Sequence, residues 1–322
     1  MLRLYARAMS SHHHDHPAHS PTRRVVLAGS AMAVAGGLLA AWRASGAQAS
    51  QSEAPDDRPL IKGRAPAIFI GHGSPMNAIQ DNAFTRTLRQ WGKELGLPRA
   101  ILVVSAHWLT EREVQVSVAG KPVTIHDFGG FPAELHAQRY PAPGAPAVAQ
   151  RAASMVGPQR VGLAADRGLD HGAWTVLKYL YPAANVPVFQ WSIDITRGAA
   201  FHHGVGRALA ALRDEGVMIL GSGNVVHNLG DTMRGHEATP RGMTRWADEF
   251  DQNAKQAIDA GDARALVAYE RLSADAAHAV PFPDHYFPLL YALGAVQAGE
   301  RPRHVFEGFQ SGTLSMRCVQ WS

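Results

Sequence analysis

The sequence has one cysteine, little net charge beyond its first 49 residues and none of the common short catalytic motifs. Because Cys318 is the only cysteine among 322 residues, an internal disulfide and a zinc site built from cysteine pairs are both excluded. Residues 1–49 hold five of the 31 basic side chains and one of the 27 acidic ones, so the rest carries 26 of each. This balance gives no support to nucleic-acid binding, which needs a basic face on the domain itself.

Several signatures of well-known enzyme classes are also absent. The chain contains no P-loop, no G-x-G-x-x-G after an apolar run and no G-x-S-x-G elbow. His236-Glu237 is followed by Ala238-Thr239-Pro240, so it does not form the H-E-x-x-H helix of a metalloprotease. Any catalytic chemistry must therefore come from residues that are distant in the sequence.

The first 49 residues have the pattern of an export signal. Arg23-Arg24 precede a weakly apolar stretch rich in glycine and alanine, and Ala47-Gln48-Ala49 is typical of a cleavage site. The paired arginines predict the twin-arginine route and a periplasmic location. The alternative is an uncleaved membrane anchor, although the apolar stretch is short for a bilayer span. We expect cleavage and no stable membrane insertion, with residues 50–64 as a linker and residues 65–322 as the folded domain.

From Ala65 onward, apolar runs alternate with amphipathic segments. The predicted strands are Ala67–Ile70, Ala100–Ser105, Val114–Val118, Val188–Ile193, Val217–Leu220, His304–Glu307 and Thr313–Trp321. The predicted helices are Ala83–Leu95, Pro146–Met155, Ala173–Leu180, Ala200–Asp214, Thr244–Ala260, Ala263–Leu272 and His285–Ala298. Short strands that alternate with longer helices predict a single α/β domain with a central, mainly parallel sheet flanked by helices. The active site of such a domain is expected at the C-terminal ends of the strands.

Four histidines stand beside glycine or small residues at the edges of these elements. His72, His107 and His227 follow apolar runs, and His285 opens a predicted apolar helix. Histidine is the commonest metal ligand and the usual proton shuttle near neutral pH. Each could instead be a turn residue, a hydrogen-bonded core histidine or a residue at a helix start. A purely structural role would have to apply to all four histidines independently. We therefore predict that they form a single metal-centred active site.

Six motifs in one order resemble the class III extradiol ring-cleavage dioxygenases, and in particular the 4,5-DOPA extradiol dioxygenase branch. The motifs are Gly71-His72-Gly73-Ser74-Pro75-Met76-Asn77, Ser105-Ala106-His107-Trp108, Ile125-His126-Asp127-Phe128-Gly129-Gly130-Phe131-Pro132, Leu169-Asp170-His171-Gly172, Gly223-Asn224-Val225-Val226-His227-Asn228 and Pro283-Asp284-His285-Tyr286. The resemblance covers residues 65–322 and not the export signal. It implies a metal-dependent dioxygenase that uses O2 to open the ring of a small aromatic diol, a catechol that is DOPA-like.

The resemblance also implies a role for each histidine. His72, His107 and His285 match the metal ligands of the family. His227 matches the acid–base histidine close to the metal, which can also count as a fourth ligand, and His171 matches a second catalytic histidine in the pocket. Fe(II) is the metal that this activity implies. Zn(II) is the alternative, since three or four imidazoles also suit zinc.

Other interpretations are kept beside this one. His126 and Asp127 are expected to bind substrate or to orient a ligand, and the alternative for Asp127 is local turn bonding. A zinc-dependent hydrolase could use the same histidines around a metal-activated water. A non-catalytic periplasmic metal-binding protein would need the histidines but no substrate pocket. The sequence assigns no oligomeric state.

Overall fold

The computed structural model describes residues 56–157, 161–232 and 243–322. The predicted export signal and its cleavage site lie outside the described residues. Within the described ranges, no helix is both long and apolar enough to cross a membrane.

The central sheet has eight strands, and the predicted metal site lies near the C-terminal ends of its central strands. The described strands are β1 (Ala67–Gly71), β2 (Ala100–Thr110), β3 (Val114–Ser117), β4 (Val161–Ala164), β5 (Val188–Asp194), β6 (Val217–Gly223), β7 (Pro302–Phe306), β8 (Phe309–Gln310), β9 (Leu314–Ser315) and β10 (Cys318–Trp321). The sheet order is β4-β3-β5-β2-β6-β1-β10-β7, and β8 pairs separately with β9. β5, β2, β6 and β1 are parallel neighbours, whereas β10 is antiparallel to both β1 and β7. The predicted α/β fold with a mainly parallel sheet is confirmed.

Helices cover both faces of this sheet. The described α-helices are α1 (Ala83–Glu94), α2 (Ala133–His136), α3 (Pro146–Val156), α4 (His171–Leu180), α5 (Ala199–Leu209), α6 (Leu229–Thr232), α7 (Arg245–Asp259), α8 (Ala263–Val267), α9 (Ala276–Ala279) and α10 (Phe287–Gly294). Apolar residues of α1 and α4 pack on one face, and those of α3, α5, α7 and α10 pack on the other.

The burial of β1 explains why the central strands are continuous apolar runs in the sequence. Ile68 and Ile70 pack into the core layer under α1 and α4, whereas Ala67 and Phe69 pack into the opposite layer. Successive side chains of a strand point to opposite faces, so a strand with helices on both sides has no solvent-facing position. The strand ends of β1 and β6 are thereby fixed within a rigid core.

Three predicted elements have wrong boundaries, and one strand was not predicted. β2 continues to Thr110, with a break in its pairing to β5 between Val104 and Leu109, so His107 lies inside the strand rather than at its end. The last helix begins at Phe287 rather than His285, because Pro288 is suited to the first turn of a helix. The predicted strand Thr313–Trp321 is divided into β9 and β10. The short β4 was not predicted, since it contains a glycine and an exposed leucine.

The second half of the predicted linker is bonded to the domain. Ile61 donates its backbone N–H to the Leu97 carbonyl at 2.9 Å, and Leu97 donates to the Pro59 carbonyl at 2.8 Å. Arg58 donates through Nη1 to the Leu180 carbonyl at 3.1 Å. Residues 56–64 therefore belong to the same compact unit as the catalytic fold.

Candidate metal centre

The five histidines predicted as metal ligands or catalytic groups converge beyond the C-terminal ends of β1 and β6, beside the second half of β2, which contains His107. His72 follows β1, His227 follows β6 and His171 opens α4, whereas His285 lies two residues before α10. The ring centroids of His107 and His171 are 3.8 Å apart, and those of His107 and His285 are 5.0 Å apart. The rings of His227 and His285 stack at 3.5 Å with an angle of 5° between their planes. Side chains that are distant in the sequence thus form one cluster.

Two sets of potential ligand atoms lie within this cluster. One donor atom from each of His72, His107 and His171 lies within 4.8 Å of the others, and the same holds for His227, Asp284 and His285. The predicted ligands His72, His107 and His285 are all present, but His171 lies as close to the first two as a ligand would. Their assignment as the ligand triad stays a prediction.

Hydrogen bonds fix the proton of His72 on the side away from the cluster. Ser222 Oγ donates to the Gly172 carbonyl at 2.5 Å, so it accepts from His72 Nδ1, which lies 3.0 Å away. A neutral imidazole carries one N–H, and His72 Nε2 is therefore left with a lone pair. That nitrogen lies 3.0 Å from Nε2 of His107.

Asp127 orients the imidazole of His171 and lies near that of His107. Its Oδ1 accepts the backbone N–H of His171 at 2.9 Å, and its Oδ2 lies 2.9 Å from His171 Nδ1. The same Oδ2 lies 3.6 Å from Nδ1 of His107. A carboxylate that accepts from Nδ1 leaves Nε2 as the ligand atom, which is the usual arrangement around protein-bound metals. Asp127 thus contacts the histidines in the way expected of a group that orients a ligand.

Burial favours the neutral form of four of these imidazoles. Burial, followed by the neighbouring imidazoles, lowers the pKa of His72, His107 and His227 well below the ordinary value of 6.5. Burial also lowers the pKa of His285 to about 3. Burial acts to raise the pKa of Asp127, but the hydrogen bonds from His171 and the charge interactions with His171 and His107 together outweigh burial and lower that pKa. Neutral imidazoles are the form that binds a metal ion.

These observations fit a divalent cation. The lone pair of His72 Nε2 faces Nε2 of His107 at 3.0 Å, a separation at which one cation can contact both nitrogens. His285 Nδ1 is buried without a hydrogen bond, although it lies 3.0 Å from Asp284 Oδ1, which accepts the His285 backbone N–H. Buried polar atoms without partners are rare and point to an ion, a water molecule or a ligand.

An aromatic loop borders the cluster on one side. The ring of Phe128 lies 5.6 Å from that of His171, 5.4 Å from that of Phe131 and 5.7 Å from that of His126. His126 Nε2 donates to the Gln138 carbonyl at 3.0 Å and lies 3.4 Å from Nη1 of Arg139. The structure therefore separates the predicted pair, since Asp127 contacts the histidines and His126 faces the aromatic loop.

Several supporting residues were not predicted. Three fully buried residues make hydrogen bonds to the histidines or to their neighbours: Ser105, Asp170 and Ser222. Asp284 is buried beside His285. Burial raises the pKa of Asp284. The one available signal was the position of Asp170 directly before a helix, which is typical of an N-cap.

Gly172 allows the close approach on which the cluster depends. A Cβ at this position would lie 2.5 Å from Ser105 Oγ and 3.0 Å from His107 Cδ2. The first turn of α4 therefore lies directly against the His107 ring.

Comparison with known proteins supports this arrangement. Residues 66–316 match the family model described as the catalytic LigB subunit of aromatic ring-opening dioxygenase. The chain is 45% identical over 273 residues to the 4,5-DOPA dioxygenase extradiol of Escherichia coli, covering 81% of this chain and 98% of that protein. It is 37% identical over 254 residues to the protein of the same name from Beta vulgaris, covering 77% and 93%. The crystal structure of an uncharacterized protein from Escherichia coli K12 superposes with a TM-score of 0.69 at 40% identity, covering 80% of this chain and 100% of that one.

Proposed function

Because the chain belongs to the family of catalytic LigB subunits of aromatic ring-opening dioxygenases, we propose that it opens a DOPA-like catechol beside its two hydroxyl groups. The chain is a metal-dependent extradiol dioxygenase that acts on a small aromatic substrate with O2. Family membership favours this activity over the zinc hydrolase and the non-catalytic metal-binding protein. The DOPA-like substrate rests on the names of the relatives.

The metal would be held by His72, His107 and His285, with His227 close enough to add a fourth nitrogen. The observation that carries this assignment is the lone pair of His72 Nε2, which faces Nε2 of His107 at 3.0 Å while the His72 proton lies on Nδ1. Fe(II) is the proposed metal, because it supplies Lewis acidity toward the diol and a redox centre for O2. Ser222 accepts from His72 Nδ1 and so leaves the Nε2 of this ligand without a proton, and Asp127 holds the Nδ1 of His171 beside the ligands in the same way.

His227 is proposed as the group that moves the catechol proton. Burial lowers its pKa, so the imidazole is neutral at physiological pH and can accept a proton from a catechol hydroxyl oxygen. Its parallel stacking on His285 at 3.5 Å restrains the ring. His171 donates Nδ1–H to Asp127, so its Nε2 carries a lone pair that would accept a hydrogen bond from a substrate hydroxyl.

The aromatic loop is proposed to bind the substrate ring and its side chain. Phe128 lies beside His171 and offers an apolar ring face, and aromatic pairs at such distances are favourable. Farther from the histidines, His126 and the exposed Arg139 form a polar end. In the described part of the chain, Arg139 donates hydrogen bonds only through Nη1, to two backbone carbonyls, so its other N–H groups can receive a carboxylate.

The periplasm is the proposed location. The support is the Arg23-Arg24 pattern before a weakly apolar stretch and a small-residue cleavage site. Because the twin-arginine route exports folded proteins, the metal could be bound before export.

The test is oxygen uptake by anaerobically purified protein reconstituted with Fe(II), with Zn(II) or with no metal. L-DOPA and 4-methylcatechol are the substrates, and tyrosine, which lacks the second hydroxyl, is the matched control. We expect O2 uptake and a ring-opened coloured product only with Fe(II) and only from the two diols. Arg139→Gln should then weaken the apparent binding of L-DOPA without affecting 4-methylcatechol. Hydrolysis of an ester by the zinc form, with no O2 uptake by the iron form, would contradict the proposal.

A further inference from the structure

We propose that Asp170 is a positioning residue that holds His107 and His171 in the geometry needed for metal binding. The inference rests on the proposed function, since it assumes that these histidines face a metal ion. Asp170 itself contacts neither substrate nor metal in this account. It acts through the backbone of one histidine and through the first turn of the helix that carries the other.

The carboxylate of Asp170 is completely buried and accepts four hydrogen bonds. Oδ1 accepts from Ser105 Oγ at 2.6 Å and from the Ala173 backbone N–H at 3.2 Å. Oδ2 accepts from Arg167 Nη2 at 2.6 Å and from Gln190 Nε2 at 2.8 Å. All four partners are donors, so only a group with two acceptor oxygens satisfies them. The side chain is fully enclosed, with none of its surface exposed.

The first branch of this network replaces missing strand pairing at His107. The pairing of β2 with β6 ends at Ser105, and its pairing with β5 is interrupted between Val104 and Leu109. The His107 backbone N–H instead donates to Ser105 Oγ at 3.2 Å, and its carbonyl accepts from Arg167 Nη2 at 3.4 Å. Ser105 and Arg167 both donate hydrogen bonds to Asp170. The carboxylate therefore restrains the backbone N–H and the carbonyl of His107 through these two side chains.

The second branch fixes the start of α4. Asp170 is the N-cap of this helix, and its Oδ1 accepts the N–H of Ala173 while its backbone N–H donates to Gln190 Oε1 at 3.1 Å. His171 is the first residue of the helix, so the cap sets the direction in which its side chain leaves the backbone. The Gly172 carbonyl that follows accepts from Ser222 and so connects the same turn to His72.

A buried carboxylate with a single cationic partner is costly unless all its bonds are made. Asn at this position would turn an NH2 group toward two donors, whichever way the amide is placed. The expected result is a shift of Ser105 or of the α4 turn, and with it a change in the separation of the ligand nitrogens. Groups behind metal ligands typically change metal affinity by about 10- to 100-fold when they are replaced.

The chain offers a matched control in Asp194. This aspartate is also buried, and its Oδ1 accepts from Arg112 N at 2.9 Å and from Thr196 Oγ1 at 2.6 Å. None of its hydrogen-bond partners among the described residues is a histidine of the cluster. Asp194→Asn can keep Oδ1 as the acceptor, so it tests for a general effect of altering a buried aspartate.

The experiment measures binding of Co(II) and Zn(II) to the metal-free protein, by chelator competition and by the visible spectrum of the Co(II) form. We expect Asp170→Asn to weaken the affinity for either metal by about 10- to 100-fold and to shift the Co(II) bands, which report ligand geometry. Ser105→Ala should shift them in the same direction by a smaller amount, and it carries the test if Asp170→Asn does not fold. Asp194→Asn should leave affinity and spectrum unchanged.

Two results overturn the inference while leaving the proposed function intact. One is wild-type affinity and an unaltered Co(II) spectrum in the folded Asp170→Asn protein, or in Ser105→Ala where that protein does not fold. The other is an equal loss of affinity in Asp194→Asn. If the wild-type protein binds no metal, the proposed function fails first and the inference fails with it.

Discussion

The metal-free protein should lose stability steeply as the pH falls below 6.5. Burial lowers the pKa of His285 from 6.5 to about 3, so at pH 5 the unfolded chain binds a proton that the folded chain does not. Stability is therefore fully present above pH 6.5 and decreases as the pH falls toward 3. For His285 alone the loss at pH 5 is about 2 kcal/mol.

The other imidazoles of the cluster add to this effect. The pKa values of His72, His107 and His227 are lowered by the same burial, and each contributes in the same direction. Folded domains are stable by only about 5–15 kcal/mol, so several such contributions are enough to unfold the metal-free protein between pH 7 and 5. A bound metal ion competes with protons for the same nitrogens, and the metal-loaded protein should resist acid to a lower pH.

The assay is urea unfolding of metal-free and metal-loaded protein at pH 7.5, 6.5, 5.5 and 4.5, followed by tryptophan fluorescence. His285→Gln is the informative variant, because it removes one titrating group from the cluster. Below pH 6 its free energy of unfolding should depend on pH less steeply than that of the wild type, by about 1.4 kcal/mol per pH unit. A metal-free wild type whose stability is constant between pH 7.5 and 5.5 would refute the reasoning.

Three further changes test separate parts of the account. Asp127→Asn should lower turnover by about 10- to 100-fold, because its amide can accept only one of the two N–H groups of His171; unchanged steady-state kinetics would remove Asp127 from the site. Gly172→Ala should destabilise the protein by about 1–3 kcal/mol in urea unfolding, since its Cβ would lie 2.5 Å from a buried oxygen; wild-type stability would argue against that close approach. Arg23→Lys combined with Arg24→Lys should abolish periplasmic accumulation in cell fractionation, and an undiminished periplasmic yield would indicate another export route.

The positions of His72 and His227 could be predicted from the sequence, because each follows an apolar run that ends in glycine. Buried parallel strands are continuous apolar runs, and their C-terminal ends meet at one edge of the sheet. His107 was placed at a strand end, and this was wrong because the irregular pairing after Val104 depends on contacts with β5 and Arg167. Such contacts join residues that no local pattern connects.

The hydrogen bonds that orient the histidines could not be predicted, because they also join residues that are distant in the sequence. Asp127 and His171 are 44 positions apart, and Ser105 and Asp170 are 65 positions apart. Asp170 before a helix predicts only an N-cap, and nothing nearby in the sequence indicates that its second oxygen binds Arg167 and Gln190. Similarly, the role of Ser222 depends on Gly172, which reaches it from a different element.

The most direct test measures metal content and single-turnover O2 consumption on the same anaerobic sample, for the wild type, His72→Ala and His227→Gln. We expect one iron and one turnover per wild-type chain and loss of both from His72→Ala. His227→Gln should retain most of the iron, bind catechol and react about two to four orders of magnitude more slowly, the usual contribution of a positioned proton-transfer group. Full iron occupancy with near-normal ring opening in either variant would contradict the account.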